Sequence, residues 1–358
     1  MKIGIIGFCN LNIMQYLYKY TKILDEQRID YDVIYWNRLG IKEKINFQGV
    51  PIAYELPVDT YQEFYKKIGL FIKYAVFMRK KINSQRYDRL IILTTQTAIP
   101  LYDLLQNKYC EKYIYDFRDI TKEKKNELYR KAVQRLVKKS FCTMMSSEGF
   151  IKEIGISNKK KIQIVHNTQT FCKSSCHAAI KKEIPINIMF WGIIRQLEYN
   201  KKVCDCFGND KRYILTYHGT GCYDKLKNYC EEKGYVNIFF TGFYEQTDIS
   251  GFAKNADILH CMYANDNEQK PAMPVKAYDA VKYRLPVLIN KDSQVEKFFS
   301  SISGALGVNI EDPNITDYIY EWYVHLNCED VEVDYKILED QILKDDIAFN
   351  KRLREFIQ

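Results

Sequence analysis

Ile186-Asn-Ile-Met-Phe-Trp-Gly192-Ile-Ile-Arg195, with Lys201 and Lys202 just beyond, is the stretch on which the reading of this chain turns. Ile186–Trp191 has the length and composition of a buried strand. It ends at a glycine, and an arginine follows three residues later. That ending sets fixed cations at the mouth of a sheet, where a diphosphate would meet the fork of Arg195 and the point charges of Lys201 and Lys202. The plainer alternative is a set of solvated residues at a helix start.

Further strands follow at Tyr213–His218, Ile238–Thr241, Ile258–Cys261 and Val287–Asn290, with helical stretches between. An earlier series lies at Lys2–Gly7, Asp32–Tyr35, Arg89–Thr94, Tyr113–Asp116, Phe141–Ser146 and Ile162–Val165. Amphipathic segments at 13–27, 61–84 and 122–138 separate these. The alternation predicts an α/β protein with two doubly wound parallel sheets. Between the series, TQTFCKSSCHAAIKKE at 168–183 is polar, small and aperiodic, and reads as a linker. Two Rossmann-like domains facing across a cleft are expected, with ligands outside the carboxyl ends of the strands.

A second cluster is Pro274-Val-Lys276-Ala-Tyr278-Asp279-Ala280, then Arg284-Leu-Pro-Val287. Pro274 is placed to open a helix and aim its free N–H groups at an anion. Lys276 and Asp279 share a helical face, so the lysine would meet phosphate while the acid accepts from ribose hydroxyls; a simple ion pair is the alternative. Gly219 and Gly221 end one strand and Gly242 another, allowing close backbone approach to a ligand. Phe243 and Tyr244 follow, as rings able to stack on a base.

In this order the pieces resemble the nucleotide-sugar-binding half of family 4 glycosyltransferases, and the resemblance covers essentially the whole chain. In that family the second domain opens with a strand, a Gly, and an Arg followed by a Lys that grips the donor diphosphate. Gly192, Arg195 and Lys201 match this, with Lys202 as the alternate. Gly219 and Gly221 match its glycine-bearing strand end. Ile238-Phe-Phe-Thr-Gly242 and Ala256-Asp257-Ile258 match its next two phrases. Lys276-Ala-Tyr-Asp279-Ala280 with Pro286-Val287 matches its K-x-x-E-A…P-V. In the first half, Tyr115-Asp116-Phe-Arg118-Asp119 is similar to D-x-R-D, and Val165-His166-Asn167 to a phrase preceding the linker. The chain departs from the family at its paired glutamates. Asp279 takes the second place, but Pro271 stands at the first, which leaves Asp266 or Glu268 to reach the donor sugar.

The resemblance implies the GT-B fold, with residues 1–170 plus a C-terminal helix at about 342–358 as acceptor domain, and 184–341 as donor domain. It implies a hexosyltransferase that takes a UDP-sugar, the usual donor of such pathways, and acts on a glycan or lipid-linked acceptor in surface-polysaccharide (capsule or lipopolysaccharide) synthesis. Arg195 and Lys201 would neutralise the leaving diphosphate. Asp116 and Asp119 would act as base if configuration inverts, or position the acceptor if it is retained, as the resemblance implies. Gly7, Arg118 and His166 would line the acceptor side. No cofactor and no metal are expected: Asp205-Cys-Phe-Gly208 breaks the D-x-D pattern of metal-dependent transferases.

Composition narrows the remaining classes. A chain of 358 residues, 47% hydrophobic and 27% charged, is globular in character. MKIGIIGFCN reads as a first strand, not a signal peptide, and no run approaches the roughly 20 apolar residues of a membrane span. The eleven Cys form no C-x-x-C; Cys172/Cys176 and Cys204/Cys206 come closest, without zinc-spaced partners. Reduced thiols in cytosol follow. Residues 1–180 hold 31 Lys and Arg against 17 Asp and Glu, the remainder 22 against 28. The first half therefore faces something anionic. Its segment 61–81 sets an apolar face beside Lys66, Lys67, Lys73, Arg79, Lys80 and Lys81, suited to peripheral contact with the inner face of an anionic membrane. No nucleic-acid motif accompanies the charge. A dinucleotide oxidoreductase is set aside, because G-x-G-x-x-G is absent and Trp36-Asn37 stands where an acid is expected. An inactive scaffold of the same fold is the alternative to an enzyme, and the missing first glutamate motivates it.

Overall fold

The computed structural model describes residues 1–58, 64–121, 123–168, 180–266 and 268–358, with the backbone alone at 64–67. Residues 61–63 of the expected amphipathic helix, Lys122, and residues 169–179 of the expected linker, with Cys172 and Cys176, lie outside them. The chain divides into two compact units, Met1–Thr170 with Lys344–Gln358, and Phe171–Leu343.

Unit 1 runs β1 (Lys2–Ile6), α1 (Leu17–Glu26), β2 (Asp30–Asn37), β3 (Val50–Glu55), α2 (Phe64–Gln85), β4 (Arg89–Leu93), α3 (Thr95–Ala98), α4 (Tyr102–Gln106), β5 (Tyr113–Phe117), α5 (Glu127–Lys139), β6 (Cys142–Met145), α6 (Gly149–Ile154) and β7 (Ile162–Ile164). Its strands form one parallel sheet in the order β3-β2-β1-β4-β5-β6-β7. Ile3, Ile5 and Ile6 of β1 and Leu90 to Leu93 of β4 are fully buried. Consecutive burial means both sheet faces are covered, which is why these strands read as continuous apolar runs. Each such aliphatic contributes at most about 1.5–3 kcal/mol.

Unit 2 runs β8 (Ile186–Trp191), α7 (Leu197–Phe207), β9 (Tyr213–His218), α8 (Tyr223–Glu232), β10 (Ile238–Gly242), α9 (Ile249–Asn255), β11 (Ile258–Cys261), α10 (Val275–Tyr283), β12 (Val287–Asn290), α11 (Gln294–Phe298), β13 (Ala305–Val308), α12 (Ile315–His325) and α13 (Cys328–Phe356). The order β10-β9-β8-β11-β12-β13 is again all parallel. The strand order reverses between β8 and β11, where open α/β sheets leave a crevice for ligand.

Two strands were not expected from sequence, β3 and β13, and both are sheet edges. β3 carries Pro51, tolerated at an edge because no second neighbour needs its missing N–H. β13, Ala-Leu-Gly-Val, is short and half-buried and is interrupted by a glycine. The third amphipathic segment also starts later than its periodicity suggests. The Asn126 side chain accepts the Tyr129 N–H at 3.0 Å and fixes the start of α5 at Glu127, a cap worth about 1 kcal/mol.

Helix α13 begins in unit 2, where Val331, Tyr335 and Ile342 enter the core, and ends in unit 1, where Phe349, Leu353 and Phe356 do the same. The C-terminal helix thus returns to the first unit.

Candidate functional site

The carboxyl ends of β8, β9 and β10 are tied together through backbone. Gly192 N–H donates to His218 O at 3.0 Å, Gly219 N–H to Gly242 O at 2.7 Å, and Ile194 N–H to Thr220 O at 2.8 Å. A Cβ on Gly219 would stand 1.8 Å from Gly192 O, and one on Gly221 2.5 Å from Ile194 O. Both glycines also have positive φ, +146° and +97°. Both glycines thus approach the neighbouring loop closely.

Gln196, unremarked in the sequence, joins this floor to the next strand end. It holds φ +55° at the start of α7. Its Oε1 accepts the Ala264 N–H at 2.9 Å and its Nε2 donates to Asp266 Oδ2 at 2.6 Å. Asp266 Oδ1 in turn accepts the N–H groups of Glu268 and Gln269 at 2.9 and 2.7 Å. The exposed Asp266, expected to reach the donor sugar, thus also orders the backbone at Glu268 and Gln269. Glu268 is exposed as well.

At the β8–β11 crevice stands α10, opened by Pro274 as the sequence implied. Lys276 in its first turn is only 6% exposed. Its Nζ lies 3.7 Å from the Phe190 ring centroid and 4.8 Å from that of Tyr263. Among the described residues no carboxylate pairs with it, so the i,i+3 ion pair with Asp279 is not formed. Burial pushes the Lys276 ammonium down to about 8, helped by nearby Arg195 and opposed by Cys261 and Asp279. Asp279 accepts the Trp191 Nε1–H at 2.9 Å. Burial pushes its carboxyl up to about 6 against that hydrogen bond and the Lys276 charge. Arg195 is exposed and pairs with no described carboxylate. Below them His260 is fully buried and held neutral, at about 3, by burial and by Lys276.

Lys201 and Lys202 do not join this group. Lys201 Nζ pairs with Glu198 at 2.9 Å and lies 5.1 Å from the Tyr229 ring, while Lys202 pairs with Glu311 at 2.6 Å. The buried stripe of α7 (Asn200, Val203, Cys204, Phe207) lies between these two side chains, so they flank the helix. Gly192 has φ +129°, and a Cβ there would come within 3.3 Å of Lys276 Nζ. Gly242, at φ +81°, turns the chain after β10; Phe243 beyond it is 78% exposed, and Tyr244 packs edge-on against Phe252.

The unit 1 candidates are largely committed to structure. Asp116 is fully buried; Tyr20 OH donates to it, and Arg118 grips it through Nε and, at 2.7 Å, Nη2. Arg118 Nη1 donates to Val165 O at 3.2 Å. A carboxylate so enclosed has no open oxygen for a substrate, so the reading of Asp116 as base and of Arg118 as acceptor ligand is corrected to the plainer strand-end pair. His166 Nε2 lies 2.9 Å from Asp345 and fastens α13. Gly7 accepts from Tyr74 OH, and a Cβ there would meet Met14 Sδ at 2.5 Å, so its lack of a side chain serves packing. Asp119 is exposed.

No protein-family model matches the sequence, and no curated protein does. Solved structures do match in fold. Sucrose-phosphate synthase from Thermosynechococcus elongatus superposes with TM-score 0.72 at 11% identity, covering 100% of this chain and 99% of that one. The lipopolysaccharide outer core galactosyltransferase WaaB gives 0.68 at 11%, covering 99% of each. Anabaena HepE, in complex with UDP and glucose, gives 0.69 at 10%, covering 100% and 99%. At such identity the likeness shows the fold alone: it is the two-sheet GT-B fold of these glycosyltransferases.

Proposed function

We propose that the chain is a glycosyltransferase that takes its sugar from a nucleotide-sugar, a UDP-sugar in the first instance. One observation carries the reading: a buried ammonium, Lys276, in ion-pair contact with no described carboxylate, at the first turn of a helix in the switch-point crevice. A desolvated cation without a partner is costly. An anionic ligand there removes the cost, and the N–H groups opening α10 add to the attraction. Arg195 supplies a fork for the diphosphate, and Asp279, held by Trp191, faces ribose hydroxyls.

As the sugar–phosphate bond breaks, charge grows on the diphosphate. Arg195, Lys276 and the helix start are fixed in advance to meet it, which is electrostatic catalysis without reorganisation and without need of a metal ion. HepE, solved with UDP-glucose, supports UDP as the first nucleotide to test. Retention of configuration, and a glycan or lipid-linked acceptor in surface-polysaccharide synthesis, belong to the same reading through the sequence resemblance. So does work at the inner membrane surface. Helix α2 exposes Ile68, Ile72 and Val76 in one stripe, and residues 64–85 hold six Lys and Arg and no acid.

Calorimetric titration with UDP and GDP, for the wild type and for Arg195→Ala, tests the proposal. UDP binding weakened in the variant supports it; no nucleotide binding overturns it.

A further inference from the structure

At the carboxyl ends of β1 and β2 in unit 1 stands a guanidinium that no acid among the described residues answers. Arg38 follows β2 directly and is half-buried. Its guanidinium carbon lies 5.1 Å from the Phe8 ring centroid and 5.3 Å from that of Trp36. Its Nε is buried without a hydrogen-bond partner, and among the described residues no carboxylate pairs with it. Burial pushes its pKa below the ordinary arginine value.

The neighbours explain why the charge stays open. Asn10 ties the two loops together: its Oδ1 accepts the N–H groups of Arg38 and Leu39 at 2.9 and 3.1 Å, and its Nδ2 donates to Asn37 and Glu43 at 2.7 and 2.6 Å. Glu43, the one acid between Arg38 and Gln48, also accepts the Leu11 N–H at 3.0 Å. The acid of this loop is thus taken up by Asn10 and the backbone, while Arg38 rests on two aromatic faces. A guanidinium held in place but left unpaired at the carboxyl end of an α/β sheet is suited to a tetrahedral oxyanion.

We propose that unit 1 binds a phosphate or pyrophosphate group at Arg38, and that this group belongs to the acceptor. The acceptor is then a phosphorylated sugar or a lipid-linked pyrophosphate, both of which present the same oxyanion. This inference rests on the reading of unit 1 as the acceptor side.

Inorganic pyrophosphate titrated into the protein at saturating UDP tests it, because the donor site is then filled. The wild type binds pyrophosphate, Arg38→Gln binds it at least about tenfold more weakly, and Arg38→Lys falls between. Pyrophosphate also slows phenylglyoxal modification of Arg38 in the wild type, read by peptide mass spectrometry, so the test survives a variant that fails to fold. Binding of hexose 6-phosphate and of farnesyl pyrophosphate, compared in the same way, tells the two sources apart. No pyrophosphate binding beside UDP, equal binding by a folded Arg38→Gln, or an unprotected Arg38 overturns the proposal. Should UDP itself not bind, the donor-site reading fails instead, and Arg38 protection still decides this one.

Discussion

Gly192 and Lys276 share one small volume: a methyl group on the glycine would stand 3.3 Å from the lysine ammonium. The glycine also holds φ +129°, where L side chains are strained. Backbone and cation are therefore set close against each other, and a side chain at 192 would press on the ammonium. Gly192→Ala should lose UDP affinity by about tenfold or more and stability by on the order of 1–3 kcal/mol. Calorimetry and urea unfolding check the two effects; unchanged affinity would show that this space is not used.

Removing the buried charge should separate stability from binding. Lys276→Met takes an unpaired ammonium out of an apolar pocket and keeps its volume. The unliganded protein should gain on the order of 1–3 kcal/mol in unfolding experiments while UDP binding is lost. A destabilised Lys276→Met would mean that the ammonium has an anionic partner in the unliganded protein.

The pH dependence has a definite sign. Lys276 has a folded-state value of about 8, below the ordinary lysine value of 10.5. Its cost to the unliganded fold is fully present below pH 8 and disappears as pH rises toward 10.5. A bound diphosphate favours the charged form, so the Lys276 contribution to UDP affinity should be level well below pH 8 and fall as pH rises through 8, with proton uptake on binding. Calorimetry in buffers of different ionisation enthalpy measures that uptake, which Lys276→Met should abolish.

How far the site could be read in advance depends on which residues made it. Gly192, Arg195, Lys276 and Asp279 were visible because strand ends, a helix-opening proline and charged residue types mark themselves in sequence. The pairing of Lys201 and Lys202 with acids was not, since it depends on which side of α7 each side chain leaves and on Glu198 and Glu311 being within reach. Nor was Gln196, whose positive φ and two loop contacts leave no trace in residue type. The parallel strands of both sheets announced themselves where two covered faces demanded apolar runs. The edge strands β3 and β13 escaped because Pro51 and Gly307 interrupt their apolar runs.

The Asp116–Arg118 pair should behave as structure. Arg118→Ala leaves a fully buried carboxylate facing Tyr20 alone and should cost about 3–5 kcal/mol of unit 1 stability. Denaturant unfolding measures it. A stable Arg118→Ala with impaired transfer would restore the catalytic reading of this phrase.

The stripe Ile68, Ile72, Val76 on α2 should be where an anionic bilayer is met. Ile72→Glu with Val76→Glu, both at positions 60% exposed, should leave the melting temperature within a few degrees and abolish sedimentation with phosphatidylglycerol vesicles. Sedimentation that persists would place membrane contact elsewhere.

The most direct test of the central claim, that Lys276 and Arg195 form a nucleoside-diphosphate site, is calorimetric titration of UDP with and without Mg²⁺ into wild type, Lys276→Met and Arg195→Ala. The account predicts binding in the wild type that is indifferent to Mg²⁺, lost in Lys276→Met and weakened in Arg195→Ala. Undiminished binding by a folded Lys276→Met, or binding that requires Mg²⁺, would contradict it.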